Sequence, residues 1–374
     1  MNVEGLEGLR GRSLLLTREL ATEELQAVLD LAARLQALDR AGRRTPWLRE
    51  ELAYGMFFDQ STRTKSAWAG AAARLGMHPV IVDGSSTQVS HGETARETGA
   101  MLGMNAHALG IRHDKILGEG NAFQREVQAG LAEYLRATGQ ERPVPVVNLQ
   151  CDIDHPTQTL ADLAWLQEHF PEGVQGKKIA VSWAYSPSYA KPLSVPQGLV
   201  TLLPRFGAEV VLAHPPGYRL IDGCIEDAVR GAEEGGGGLH TTHDMDAAFA
   251  DADVVYPKSW GPYDLMLERV EANAGRDDAR LRAIETEALE RNAAHRDWIC
   301  DERRMGLTRG GDALYMHCLP ADIGAEVSRG VLERFRIPLA REAQKKLFVI
   351  MAWLAASKVP DLAARLHAVG GSDV

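Results

Sequence analysis

The strongest constraint on the fold is an order that recurs along the chain: a short apolar run, a polar turn, then an Ala- and Leu-rich stretch with helical spacing. LAYGMFF (residues 52–58) reads as a strand, and DQSTRTKSAWAGAAARLG (59–76) as a turn feeding a long helix. HPVIVD, AHALGIRH and VPVVNLQ repeat the strand signal, separated by helical patterns at 91–103 and 126–138. Strand, turn, helix in this order specifies α/β units with a parallel sheet. A second series begins after residues 171–173 with KKIAVSWAY (177–185), followed by the proline-containing stretch SPSYAKPLSVPQ, a helix at 198–207 and the strand EVVLAHP. DADVVYPKSW and DALYMHCLP read as further strands with polar tips, 276–296 as a solvated helix and 337–358 as a closing helix, while the glycine tract 235–238 reads as a flexible surface connection. The expected fold class is α/β, with two doubly wound parallel-sheet lobes joined by helices and ligands bound at the carboxyl ends of the strands. The expected domains are 1–170, completed by the closing helix at 339–374, and 171–338.

With 374 residues, 45% of them hydrophobic, there is material for two such cores. The formal net charge of −10 excludes a non-specific nucleic-acid binder, whose affinity comes from clustered Lys and Arg. Cys151, Cys224, Cys300 and Cys318 are too scattered for a CxxC metal site or a dense disulfide framework, so a reducing, cytoplasmic location is expected. The first twenty residues carry charge throughout and read as no secretory signal. The apolar run 347–356 has ten residues, short of the ~18–20 that span a bilayer, and reads as a buried helix.

Three polar clusters follow strands. In the first, Ser61, Thr62, Arg63 and Thr64 stand where a helix begins, and three hydroxyls and a guanidinium at a helix N-terminus make a phosphate cradle. The alternative is that Ser61 or Thr62 is only an N-cap, although Arg63 in the first turn opposes the helix dipole unless an anion is near. In the second, His155 and Gln158 lie three apart beside Pro156, so an imidazole can polarise a carbonyl while an amide recognises an NH2 group; His155 can equally be a capping or packing residue. Arg112, at the end of ALGIR, adds a third positive group or is simply solvated. In the third, His317, Cys318, Leu319 and Pro320 offer a carbonyl fixed before proline and a thiol, or a Cys packed as a small apolar residue. Lys258, after another strand, suits a carboxylate or is a surface charge. The dinucleotide fingerprint, the P-loop and the nucleophile elbow each fail for want of a glycine.

FxxxSTRT at 57–64, the arginine-bearing strand end at Arg112, HPTQxLAD at 155–162 and HCLP at 317–320 resemble, in order, the motifs of the aspartate/ornithine carbamoyltransferase family. The resemblance implies that Ser61, Thr62, Arg63 and Thr64 hold the phosphate of carbamoyl phosphate in the first domain. It implies that Thr64, Arg112 and His155 polarise the carbonyl oxygen, and that Gln158 and the carbonyl of Leu319 recognise the amino group. An amine bound in the second domain then attacks, with neither metal nor other cofactor required. It also implies a homotrimer with shared active sites, each completed by a neighbour's loop 84–92 through Thr87, Gln88 or His91; that loop is otherwise an ordinary surface loop.

For the second substrate, the stretch from Lys258 through Trp260 departs from the loop of the ornithine enzymes. It is similar, with SWAYSPSYAKPLSVP, to the branch with a trefoil knot in its second lobe, which includes the acetylornithine and succinylornithine enzymes. His317 and Cys318 keep the HCLP of the ornithine enzymes, and DQSTRTKSAW most resembles the YgeW-type carbamoyltransferases. Lys346 stands where the family often has arginine, keeping the charge and losing the planar fork. The expected activity is carbamoyl transfer to the amino group of a small, carboxylate-bearing molecule gripped by Lys258, possible in the catabolic direction. The alternatives are an acylated-ornithine enzyme and a non-catalytic homologue that binds a phosphorylated ligand.

Overall fold

The computed structural model describes residues 4–189 and 191–370. Outside them lie the first three residues of the N-terminal segment, Ala190 of the proline-containing stretch and the last four residues of the closing segment. The chain divides into two compact units, one formed by Met1–Asp114, Glu119–Ala164 and Gln344–Val374, the other by Lys115–Gly118 and Trp165–Ala343. Each holds a parallel sheet.

In the first unit β1 (Leu52–Phe57), β2 (His78–Asp83), β3 (Ala108–Arg112) and β4 (Val146–Gln150) are ordered β2-β1-β3-β4. The chain runs to one side of β1 for β2 and to the other for β3, so the switch of direction falls between β1 and β3, where parallel sheets bind ligands beyond their carboxyl ends. Register pairs Asp83 with Phe57, Phe57 with Arg112 and Arg112 with Gln150, placing four strand ends in one row. The helix Arg63–Arg74 sits directly on this sheet because Gly55 and Gly110, paired in register, leave room for Trp68. A Cβ at either glycine would stand 2.9 Å from the Trp68 ring. Trp68 is fully buried, and its indole N–H reaches Ala53 O at 3.3 Å.

The helix Arg329–Lys358 contributes its second half to this unit. The apolar run expected to be a buried helix is one, with Phe348 to Leu354 almost inaccessible to water. Its lysines are satisfied locally: Lys345 Nζ donates to Gln36 Oε1 (2.6 Å), and Lys358 Nζ donates to Pro143 O (2.8 Å) and pairs with Glu51 (3.1 Å).

In the second unit β5 (Lys178–Trp183), β6 (Glu209–Ala213), β7 (Gly238–Thr242), β8 (Val254–Lys258) and β9 (Leu314–Tyr315) are ordered β7-β6-β5-β8-β9, all parallel. The direction switches between β5 and β8, whose last residues, Trp183 and Lys258, are register partners.

Here the glycine tract departs from expectation, being packed rather than a flexible connection. Gly235 ends the helix Asp222–Gly235, Gly236 is its left-handed cap (φ +71°), and Gly238 opens β7, a strand the sequence reading missed. The glycines are required by close approach: a Cβ at Gly235 would lie 2.1 Å from Arg205 O, and one at Gly237 2.4 Å from Pro204 O.

Candidate active site

The turn from β1 into the helix Arg63–Arg74 places Ser61 and Thr62 ahead of the helix rather than within it. Thr62 occupies the N-cap position, yet its hydroxyl makes no cap hydrogen bond and is exposed. Ser66 N–H donates to Thr62 O (3.1 Å), so the N–H groups of Arg63, Thr64 and Lys65 lie ahead of the first helical bond. Phe58 fixes the approach: its N–H donates to Arg112 O (3.0 Å), and its ring packs on His113 and Phe123 at 4.5 and 5.0 Å.

Thr64 is buried, and its Oγ1 accepts from Lys346 Nζ at 3.3 Å. Lys346 thus reaches the cradle from a helix nearly 300 residues away in sequence. Arg112 is held at the end of β3 by two bonds to Asp114, Nε to Oδ1 (3.1 Å) and Nη2 to Oδ2 (2.9 Å). Burial pushes the Asp114 carboxyl up from its ordinary range, and the Arg112 guanidinium opposes that shift.

His155 immediately precedes the helix Pro156–His169 and is buried. Burial drives its pKa well below the ordinary imidazole value, and the charges of Lys346, Arg112 and Arg63 push it the same way. It is therefore neutral near pH 7, close enough to three cations to feel each of them. Its position is set by a turn that sequence reasoning did not foresee. The Cys151 sulfur accepts from Ile153 N–H and Asp154 N–H (both 3.3 Å), while Asp154 Oδ2 accepts from Thr17 N–H and Oγ1 (both 2.8 Å). Gln158 Nε2 donates to Asp162 Oδ1 at 2.6 Å. With that NH2 group committed, what the side chain offers a ligand is its carbonyl oxygen, the complement of an NH2 group.

Gln88 lies outside this group, in the exposed 3-10 turn Gln88–His91 beyond β2. Thr87 is turned inward on its own loop, its Oγ1 donating to Gly84 O (2.7 Å), and His91 is exposed.

The second unit gathers Lys258, His317, Cys318 and Leu319 at the ends of β8 and β9. Lys258 is buried, with Nζ donating to Ser259 O (2.6 Å) and 4.0 Å from Glu326 Oε1. Burial lowers its pKa and Glu326 raises it. The carboxylate beside Lys258 is thus one the protein supplies. His317 Nδ1 accepts from Leu319 N–H at 2.8 Å, and Cys318 and Leu319 are partly exposed. Trp260, expected at the substrate site, is fully buried, its indole N–H donating to Tyr218 O (2.8 Å) and its carbonyl accepting from Trp183 Nε1 (2.9 Å). Its side chain is part of the core and offers a ligand no polar atom. Sequence reasoning missed Lys191, Asp322 and Glu326, which are joined here by Lys191 Nζ at 2.7 Å from Asp322 Oδ2 and 3.0 Å from Glu326 Oε2. The only hint was that Lys191 stands in the proline-containing stretch and the two acids follow HCLP.

Among the described residues no group of three or more His, Cys, Asp or Glu is arranged to hold a metal, and no helix is long and apolar enough to cross a membrane.

The family model for the aspartate/ornithine carbamoyltransferase carbamoyl-P binding domain matches residues 12–168, and that for the Asp/Orn binding domain matches 193–357. A relative from Escherichia coli strain K12, named "Putative carbamoyltransferase YgeW", is 49% identical and aligns over 94% of this chain and 90% of its own. The N-acetylornithine carbamoyltransferase of Xanthomonas campestris pv. campestris is 30% identical over 91% of this chain and 96% of its own. Among solved structures, an N-acetyl-L-ornithine transcarbamylase variant complexed with carbamyl phosphate and N-succinyl-L-norvaline superposes with a TM-score of 0.75 at 29% identity, covering 92% of this chain and 99% of its own. An acetylornithine transcarbamylase complexed with acetylcitrulline gives 0.76 at 28% identity, covering 93% and 99%. The chain belongs to the aspartate/ornithine carbamoyltransferase family and is an enzyme of the carbamoyltransferase class.

Proposed function

We propose that the first unit binds carbamoyl phosphate and the second binds an amine, and that the enzyme moves the carbamoyl group between them. The observation that carries this reading is the grouping of Arg63, Arg112 and Lys346 around a buried, neutral His155, with Thr64 in contact with Lys346. Three cations gathered around one imidazole suit a phosphate dianion and the oxyanion that develops beside it. Ser61, Thr62, Arg63 and Thr64 hold the phosphate; Thr64, Arg112 and His155 face the carbonyl oxygen; Gln158 Oε1 and the Leu319 carbonyl accept from the NH2 group. The amine nitrogen bonds to the carbonyl carbon, the tetrahedral intermediate collapses with cleavage of the carbon–oxygen bond, and the departing phosphate takes the amine's proton. The reverse sequence splits a ureido compound.

Isothermal titration with carbamoyl phosphate tests this. Binding is expected, with at least about a tenfold loss in Arg63→Ala, since charge-assisted bonds to phosphate are among the stronger ones. No binding by the unaltered protein, or an unchanged affinity in the variant, would refute it.

The amine is taken to be a small, carboxylate-bearing molecule. A second reading, an acylated ornithine, is favoured by the likeness to N-acetyl-L-ornithine transcarbamylase. Release of phosphate from carbamoyl phosphate in the presence of acetylornithine, succinylornithine or other small amines discriminates the two.

A homotrimer is supported by the exposed edge strand β2 and the exposed apolar Ile81, Met101 and Met104, with loop 84–92 completing a neighbour's site. Sedimentation should then report three times the 40.8 kDa chain. A trefoil knot in the second unit is supported by the way much later residues hold Tyr185 and Ser186. Tyr185 N–H donates to Trp298 O (2.8 Å), and Asn292 Nδ2 donates to Ser186 O (3.2 Å). An electron-density trace that leaves that loop unthreaded would remove it. A cytoplasmic location is supported by the absence of a disulfide among the four cysteines.

A further inference from the structure

The Glu326 carboxylate in the second unit is wholly buried, accepts two backbone hydrogen bonds and has three basic side chains within 4.0 Å. Oε1 accepts from Ser259 N–H (2.7 Å) and lies 4.0 Å from Lys258 Nζ; Oε2 accepts from Asp322 N–H (2.8 Å) and lies 3.0 Å from Lys191 Nζ and 3.5 Å from His317 Nε2. A buried carboxylate is tolerated only when its oxygens are satisfied; burial pushes its pKa up, but the His317 ring and the ammonium groups of Lys258 and Lys191 outweigh that and hold it far below the usual carboxylate range.

What separates this arrangement from a mere plug is where it leads. Because His317 Nδ1 accepts from Leu319 N–H, the proton of the neutral ring is on Nε2, the nitrogen that faces Glu326. Leu319 has φ +53°, a left-handed conformation that a residue with a side chain adopts only when its surroundings impose it. The bond to His317 is one such restraint, and it exists only in the tautomer that the carboxylate favours.

We propose that Glu326 is a positioning residue which, by fixing the tautomer of His317, aims the Leu319 carbonyl at the amino group of carbamoyl phosphate. This rests on the carbamoyl phosphate reading above. Glutamine is a poor replacement because either orientation of its amide sets an NH2 group against Ser259 N–H or Asp322 N–H.

The test is isothermal titration with two probes, carbamoyl phosphate and inorganic phosphate, on the unaltered protein and Glu326→Gln. The variant should bind carbamoyl phosphate at least about tenfold more weakly. It should bind inorganic phosphate, which lacks the amino group, within about twofold of the unaltered protein. Equal losses for both probes would reduce Glu326 to a structural role and overturn the proposal, as would no loss for either. If the unaltered protein binds phosphate and not carbamoyl phosphate, the functional reading fails first.

A second variant isolates the route. In His317→Asn the amide oxygen can accept from Leu319 N–H with no tautomer to fix. Adding Glu326→Gln to it should then change carbamoyl phosphate affinity by no more than about twofold, and the full tenfold loss would overturn the route. Should Glu326→Gln not fold, the nitrogen-15 spectrum of the histidine-labelled unaltered protein decides, the His317 signal being the one lost in His317→Asn. A bare Nδ1 and protonated Nε2 are expected, and a charged ring or a protonated Nδ1 overturns the proposal.

Discussion

Arg112 owes its orientation to Asp114, whose two oxygens hold two of its nitrogens. Asp114→Asn keeps one acceptor and loses the bidentate pairing, so titration should show carbamoyl phosphate affinity falling about tenfold. An unchanged affinity would mean that Arg112 is oriented by something else. Lys346 presents its ammonium to Thr64 and to the His155 environment, so Lys346→Met should also weaken carbamoyl phosphate binding about tenfold, and it should move the His155 pKa upward by removing one of the charges that depress it. Nitrogen-15 titration of His155 measures the second effect. The residues of FxxxSTRT and HPTQ are legible in the sequence because they are contiguous and sit on strand-to-helix turns. Asp114, Lys191 and Glu326 are not, because a charged residue that becomes a buried partner has the same letter as one that stays in water.

The helices Ala95–Gly103 and Gly120–Ala137 touch backbone to backbone through Gly99 and Gly130. A Cβ at Gly99 would stand 2.1 Å from Val127 O, and one at Gly130 1.9 Å from Arg96 O. Gly→Ala inside a helix ordinarily stabilises by about 1 kcal/mol. At these two positions the sign should reverse, with a loss of at least about 2 kcal/mol in urea unfolding, because the helices must move apart. A neutral or stabilising result would show that the contact can relax cheaply. The same physics explains why β7 was hidden. A run of glycines carries no hydrophobic pattern, so neither the strand nor the close backbone packing at Gly235 and Gly237 leaves a trace that periodicity can detect. The strands β1, β3, β5 and β8 were readable because parallel strands buried on both faces read as short, near-continuous apolar runs.

For the molecule as a whole, His155, His214 and His317 are held neutral, burial being the first cause in each case. Their folded pKa values lie below the ordinary ~6.5 that they regain on unfolding, so in acid the unfolded chain binds protons that the folded one refuses. This stability is fully present above about pH 7 and is lost as pH falls through 6.5 toward the folded values. Asp114 and Asp154, whose pKa values are raised by burial, act in the opposite sense but at lower pH, starting from the carboxylate range. The Tm should fall between pH 7.5 and 5.5, and it should fall less steeply in His155→Asn; equal slopes would exclude His155 from the effect. The interleaving of the units also bears on how the protein comes into being. The phosphate cradle lies early in the chain, but Lys346 and the helix half that buries beside Thr22–Arg40 come after most of the second unit has been made. On the ribosome, the first unit therefore waits with its hydrophobic face and its cradle unfinished until at least residue 346 has emerged. A fragment cut at residue 168 would carry the whole FxxxSTRT and HPTQ signature without a competent anion site.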